Sequence, residues 1–364
     1  APLVAERDAA VHAAARLGVD DGEQRAADPV GVDLVPVLDP LLDADAGIVL
    51  ELGSRDNDLI DNDVADTGDA GVVIHQGSHR NTVSGGDLLR NGDAGVIVND
   101  SNGTEIYDIT AMHASDGGVV LNNAHNTKVQ GSDLRFNPSG VEAGNTNGLT
   151  VGGPPVIVGD DRICHANVAN DASYSLQTGF ELGAGVGMRV QCNTANFTGG
   201  AGIGMETATF DSLGEAVGGA LISDNTTNEN AESGISVEIA RHRLEFNKAY
   251  NNADYGIAAG EELVPGEPLD PNKNFDGGGN KASGNHADPP VAVGPPDAVQ
   301  CTGVICDASE TFPLTPPDTV LPDTQILTGP DNGPVGTSSD TAVFTFTGTD
   351  NVTPALGLIF ECRL

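Results

Sequence analysis

The chain has no tryptophan, 4 tyrosines and 10 phenylalanines in 364 residues, which excludes a thick aromatic core. Cations are scarce as well, with 16 Lys and Arg against 53 Asp and Glu and a formal net charge of -37. A surface so poor in Lys and Arg excludes partners gripped through phosphate, so neither nucleic acid nor an anionic membrane surface is expected. No run approaches the roughly 20 apolar residues of a membrane helix, and no membrane insertion is expected. The opening "APLVAERD" has neither a basic start nor an apolar signal core, so a trimmed or mature chain is expected. The acidic exterior suits plain solvation or the collection of divalent cations.

Glycine, by contrast, is abundant, with 48 residues. It recurs before short apolar runs: Gly47 "GIVLE", Gly71 "GVVIH", Gly95 "GVIVN", Gly118 "GVVLN" and Gly140 "GVEAG", in steps of 24, 24, 23 and 22. The phrase returns at Gly179, Gly202, Gly234 and Gly256. A second phrase lies between these copies, as "LIDND" (59–63), "TVSGG" (82–86), "EIYDI" (105–109) and "KVQGS" (128–132). A period in the low twenties marks a stacked solenoid. Its bursts are β-branched and separated by Gly, Asn and Asp, so each period reads as one coil of short strands and tight turns. Successive coils then pair in parallel, about 4.8 Å apart. In the second half, Asn167, Asn193, Asn225 and Asn247 follow an apolar or Cys position by three residues. Such amides can bond from coil to coil as a ladder.

The "N…GI.L…N.I..N" cadence over 47–287 resembles the right-handed parallel β-helix repeats of the pectin-lyase-like superfamily and of NosD-like periplasmic proteins. The stretch 277–306 resembles the ending of secreted bacterial members. The resemblance implies the fold and no single activity, because the superfamily holds lyases, hydrolases, epimerases and non-catalytic surface proteins. The tail 322–364, with "AVFTFTG" and "LIFECRL", resembles the first strands of immunoglobulin-like modules of secreted bacterial proteins. Such modules have a partner Cys further on, so Cys362 is expected to be an orphan and not a nucleophile. The expected organisation is an all-β chain. A cap or leader spans 1–46, with a short helix at 6–18. A right-handed parallel β-helix follows over 47–287. A Pro-rich linker with a Cys301–Cys306 loop covers 288–321, and a partial immunoglobulin-like β-sandwich covers 322–364.

Two cysteines five apart make a poor zinc site, so Cys301 and Cys306 are read as a small disulfide loop in an oxidising compartment. Cys164 and Cys192 fall at near-equivalent positions of neighbouring coils, as buried thiols or as a bridge between coils. The rhythm stretches between Gly140 and Gly179 and between Gly202 and Gly234, where insertions are expected.

Chemistry is sought where strand side chains face outward. The fourth position after Gly reads Glu51, His75, Asn99 and Asn122, then Glu206 and Glu238, a polar stripe suited to an extended polysaccharide or to water. Glu206 and Glu238 on neighbouring coils would repel, raising one pKa, as in the carboxylate pairs of glycoside hydrolysis. The loop 207–220, with Asp211, would wall that pair. Beyond it "ARHRLEFNK" (240–248) brings Arg241, His242, Arg243 and Lys248, the densest basic patch. A base beside acids could support β-elimination from a uronate, with calcium neutralising the carboxylate. A local salt-bridge cluster is the structural alternative. Turn aspartates Asp61, Asp63 and Asp66 are candidate calcium ligands, although no cofactor is required. The polygalacturonase companions "NTDG" and "GHG" and the epimerase "DPHE" are missing.

These readings lead us to expect a monomeric, secreted or cell-surface scaffold or adhesive protein that contacts polysaccharide or a cell-surface glycan along the solenoid. The alternative is a glycoside hydrolase, lyase or epimerase using Glu206, Glu238 and Arg241, with His242 and Arg243 holding substrate.

Overall fold

A computed structural model describes residues 46–159, 161–183, 185–205, 219–238, 241–260, 274–286, 300–307, 323–328 and 345–349. The expected helix at 6–18, Glu206, Asp211 and Cys362 lie outside the described residues.

The repeated phrase forms strands because its β-branched residues alternate inward and outward with period 2. In Ile48–Leu50 and Val72–Ile74 the outer two side chains are buried and the middle one is not. These strands pair in parallel, Ile48 with Val72 and Val72 with Val96, so each coil lies on the one before it. The stack makes a 10-stranded sheet running from Ile48–Leu50 to Cys301–Thr302. A 9-stranded sheet from Asp58–Ile60 to Phe275–Gly278 forms the second face. The third face is less regular. A 3-stranded and a 4-stranded sheet lie along it, and single bridges from Thr110 through Asp133, Asp171 and Thr194 to Thr226 join them. This is a parallel β-helix, and among the described residues no helix is long and apolar enough to cross a membrane.

Its core is a column of aliphatics, Leu50, Ile74, Val98, Leu121 and Ala143 on one face and Val83, Ile106, Val129 and Val151 on another, with the ring of Phe180 fully buried among them. Gly71 opens the strand because nothing larger fits: a Cβ there would lie 2.8 Å from the Gly95 carbonyl of the next coil. At the corners the backbone turns left-handed, usually at Asn, Asp or Gly. One corner column breaks that preference: Asp66, Arg90, His113, Phe136, Tyr174, Phe197, Glu229 and Asn251 all have positive φ. There the larger side chains hold one another. Arg90 pairs with Asp66 at 2.8 Å, and the rings of His113, Phe136, Tyr174 and Phe197 stack with centroids 5.5, 5.2 and 5.1 Å apart.

Two amide ladders run inside the corners. Asn170, Asn193, Asn225, Asn247 and Asn280 bond side chain to side chain, each Nδ2 donating to the Oδ1 of the next. Asn230, Asn252 and Asn285 form the second row, which Gln300 ends. The first row corrects one expectation, since Asn170 takes the place assigned to Asn167, which is exposed. The turn at His165–Ala169, where Val168 and Ala169 donate to the His165 carbonyl, consumes the extra residues.

Both cysteine pairs are disulfides, Cys164–Cys192 and Cys301–Cys306. The second belongs to the solenoid and not to a linker, because Cys301 pairs with Ile257 and Cys306 with Asn280. The coils therefore run past residue 287 to Asp307. Cys164 sits on an excursion, an antiparallel hairpin of Val156–Val158 and Asp161–Ile163. Residues 313–364 form a separate unit, in which Asp323–Thr328 and Thr345–Thr349 pair antiparallel.

Candidate functional site

The outer side of the 10-stranded sheet collects the polar residues expected to be functional. Glu51, His75, Asn99 and Asn122 each follow a strand of that sheet or end it, at equivalent positions of the first four coils. His75 Nε2 lies 3.5 Å from Glu51 Oε2, so imidazole and carboxylate face each other across one coil step. The row then stops. Gly144 pairs with Asn122, and Gly183 follows the next strand, so two glycines separate the first four positions from the later ones. Glu238 resumes the position further along, its N–H bonded to the Met205 carbonyl at 3.0 Å. Its expected partner Glu206 lies outside the described residues.

Beside this row runs an apolar strip. Val73, Ile97 and Val120 are register partners on the outward side, and they pack with Ala70 and Ala94 into a second cluster outside the core. Ile97 is only 8% exposed although it points away from the coil interior.

On the other side of the strip stands a row of acids that sequence reasoning missed. Asp69, Asp93 and Asp116 occupy the turns into the first-face strands, and the N–H of Asp93 and of Asp116 bonds the carbonyl of the preceding coil's Asp, at 3.1 and 2.9 Å. Glu142 and Glu181 continue the strip itself as direct register partners. Burial, then the charges of Asp116 and Asp69, raise the Asp93 pKa above the ordinary carboxylate value. Glu142 is raised for the same reasons, burial first and then Asp116 and Glu181. Burial and like charge both favour the protonated form of these carboxyls, the direction in which the pKa of a general acid is shifted. The signal was in plain view, since Asp69 and Asp93 belong to the repeated phrase "GDAGV".

The basic patch is divided. Arg243 is on the second face, where it donates to Glu245 at 2.8 Å, while Glu238 follows a first-face strand. Arg241 occupies a left-handed corner with φ 58°. His242 does not reach a surface ligand. It is 2% exposed, its Nδ1 accepts the Ala220 N–H at 3.0 Å, and burial lowers its pKa from 6.5 to about 4. Two of the three turn aspartates, Asp63 and Asp66, are also committed to protein partners. Both oxygens of Asp66 take Arg90, and Asp63 Oδ1 accepts the Asp87 N–H at 3.0 Å. Among the described residues no three His, Cys, Asp or Glu side chains converge to hold a metal ion.

Residues 40–153 match the family model described as periplasmic copper-binding protein (NosD). Among the described residues of that range, no three His, Cys, Asp or Glu side chains come together as a copper site would require. No curated protein matches the sequence. Among solved structures the chain is similar to the Dettilon tailspike protein, at 14% identity and a TM-score of 0.34, covering 84% of this chain and 70% of that one. It is also similar to the A-module of the Azotobacter vinelandii mannuronan C-5 epimerase AlgE6, at 14% identity and a TM-score of 0.22, covering 66% and 61%. Its two disulfides fit an oxidising compartment. The first coils of this parallel β-helix thus carry a NosD-like repeat, and the same architecture continues well beyond them.

Proposed function

We propose that the chain is an exported scaffold or adhesive protein, secreted or held at a cell surface, that contacts a polysaccharide along the outer side of its 10-stranded sheet. One observation carries the reading: an apolar strip of Val73, Ile97 and Val120 lies between the Glu51–His75–Asn99–Asn122 row and the Asp69–Asp93–Asp116 row. A pyranose chain has apolar C–H faces and hydroxyl edges, and a strip with polar margins meets both. Each coil offers a weak contact, and repetition at one strand spacing adds them along an extended ligand. With a net charge of -37 the preferred glycan is neutral, since polyuronates are repelled unless cations intervene.

A second reading, hydrolysis or elimination on the same face, is favoured by Glu142. Its carboxyl is raised beside the directly paired Glu181, an acid next to a potential base. The arrangement of Glu238 with Glu206 and Arg241 is the other form of that reading.

The full chain should be tested against neutral and acidic polysaccharides, with and without calcium, for retention and for new reducing ends or unsaturated products. Retention on a neutral glycan that falls at least tenfold in the His75→Ala/Asn99→Ala double variant supports the scaffold. Product that disappears in Glu142→Gln or Glu238→Gln makes the protein an enzyme. Neither retention nor product across the panel overturns both readings.

A further inference from the structure

The hairpin Val156–Ile163 leaves the coil path, and its fastenings reach three successive coils. Cys164 is bonded to Cys192, just after the strand Arg189–Gln191. Arg162 donates from both Nε and Nη2 to the Asp224 carboxylate, after the strand Leu221–Ser223, with Nη2–Oδ2 at 2.6 Å. The same guanidinium lies 4.0 Å from the centroid of Phe246, after the strand Arg243–Glu245. Cys192, Asp224 and Phe246 form one left-handed corner column. The hairpin thus runs along the solenoid axis, across the direction in which coils bond to their neighbours.

It also explains an anomaly of burial. On the second face the middle residue of each strand points inward, as Val190, Ile222 and Leu244 do, so Gln191 and Ser223 belong to the outer side. Yet Gln191 is 5% exposed and Ser223 is fully buried, joined by a Gln191 Nε2 to Ser223 Oγ bond of 2.9 Å. At equivalent positions of earlier coils, which the hairpin does not reach, Ile60 and Tyr107 are exposed and Gln130 is half-buried, while the small Ser84 is buried by its own coil neighbours. The Asp224 side chain is hidden in the same way. A polar row lies beneath an arm whose own Val156, Ile157, Val158 and Ile163 face solvent.

We propose that Val156–Ile163 is a redox-sensitive strap: the Cys164–Cys192 disulfide fastens it across three coils, and reduction releases it from the Gln191–Ser223–Asp224 row without unfolding the solenoid. Cys164 is exposed and Cys192 buried, so a reductant approaches from the Cys164 side. A dithiol supplies the two electrons and two protons. Its thiolate attacks Cys164 Sγ, Cys192 leaves as a thiolate and is protonated, and the second sulfur closes the reductant's own disulfide and frees the Cys164 thiol. The coil keeps its ladder at Asn193 and its strand pairings, which do not pass through the hairpin. The buried Cys192 thiol then behaves as a small apolar side chain.

The test is trypsin cleavage of the Arg162–Ile163 bond in the full chain, followed by mass spectrometry with and without a dithiol. Cys164→Ser is tested in parallel because reduction also opens Cys301–Cys306. Cleavage at least tenfold faster in both, with the β-sheet circular dichroism unchanged, is expected. Asp224→Asn in the oxidised protein should accelerate cleavage less than threefold. Unchanged cleavage after reduction overturns the proposal. So does cleavage throughout the coils, which would make the disulfide a staple of the whole solenoid. Release by Asp224→Asn as large as that by reduction overturns it too, since the ion pair would then be the fastener.

Discussion

Asn225 Nδ2 donates both to Asn247 Oδ1 at 3.0 Å and to the Val190 carbonyl at 2.8 Å, tying one buried amide to the coils on either side. Its Oδ1 in turn accepts the backbone N–H of Asn193 at 2.9 Å. Replacing it removes partners that water cannot reach. Asn225→Ala should therefore cost about 2–4 kcal/mol in urea unfolding, because buried donors and acceptors are left unmade. Asn225→Asp should cost at least as much, since a carboxylate accepts but cannot donate to Val190. A loss under about 0.5 kcal/mol for Ala would show that the ladder contributes little.

The aromatic corner predicts an unusual order of substitutions at Tyr174. Its φ of 62° strains any side chain, and its ring stacks on both Phe136 and Phe197. Tyr174→Ala keeps the strain and loses both stacks, each worth about 0.5–1.5 kcal/mol. Tyr174→Gly loses the stacks but relieves the backbone by about 1 kcal/mol. Thermal unfolding should rank Gly above Ala, the reverse of an ordinary strand position. Ala above Gly would mean that the corner is not held left-handed.

His242 sets a pH dependence whose direction is fixed. Its folded pKa of about 4 lies below the free value of 6.5, so between these pH values the unfolded chain binds a proton that the folded chain does not. Stability from neutral His242 is complete above pH 6.5 and falls on acidification to pH 4, by about 3 kcal/mol in total. Asp93, Glu142 and Glu229 have raised pKa values and act oppositely, gaining stability as they protonate. The difference between the native chain and His242→Asn isolates the histidine. Asn81 Oδ1 accepts the Asn57 N–H in the same position of an earlier coil, so Asn should take over the bond to Ala220. Identical pH profiles for the two chains would refute the assignment.

The coil register was legible because it rests on close approach. Gly47, Gly71, Gly95 and Gly118 are needed where one backbone meets the next, and no other residue stands in for them there. The third face was not legible. Asp133, Asp171 and Thr194 are joined by single backbone bridges, and polar side chains in that role carry no apolar rhythm. Asn167 and Asn170 could not be separated by spacing, since a turn shifts the count and both are asparagines. His242 looked like part of a basic surface because Arg241 and Arg243 flank it, yet period 2 sends the middle residue inward. Asp69 and Asp93 stood in the repeated phrase "GDAGV", but one more acidic turn in a chain of net charge -37 gave no contrast to single them out.

The register Leu50↔Ile74↔Val98 joins residues 24 apart in sequence and one coil apart in space. A deletion that fuses Leu50 to His75 returns every later residue to a valid partner, with the Glu51 position now filled by His75. Unequal recombination between two copies of "GDAGV" changes the molecule by one storey and leaves its two ends chemically unaltered. The length of the polar face is in that sense a heritable quantity, adjustable in whole steps and insensitive to where in the regular coils the step is made.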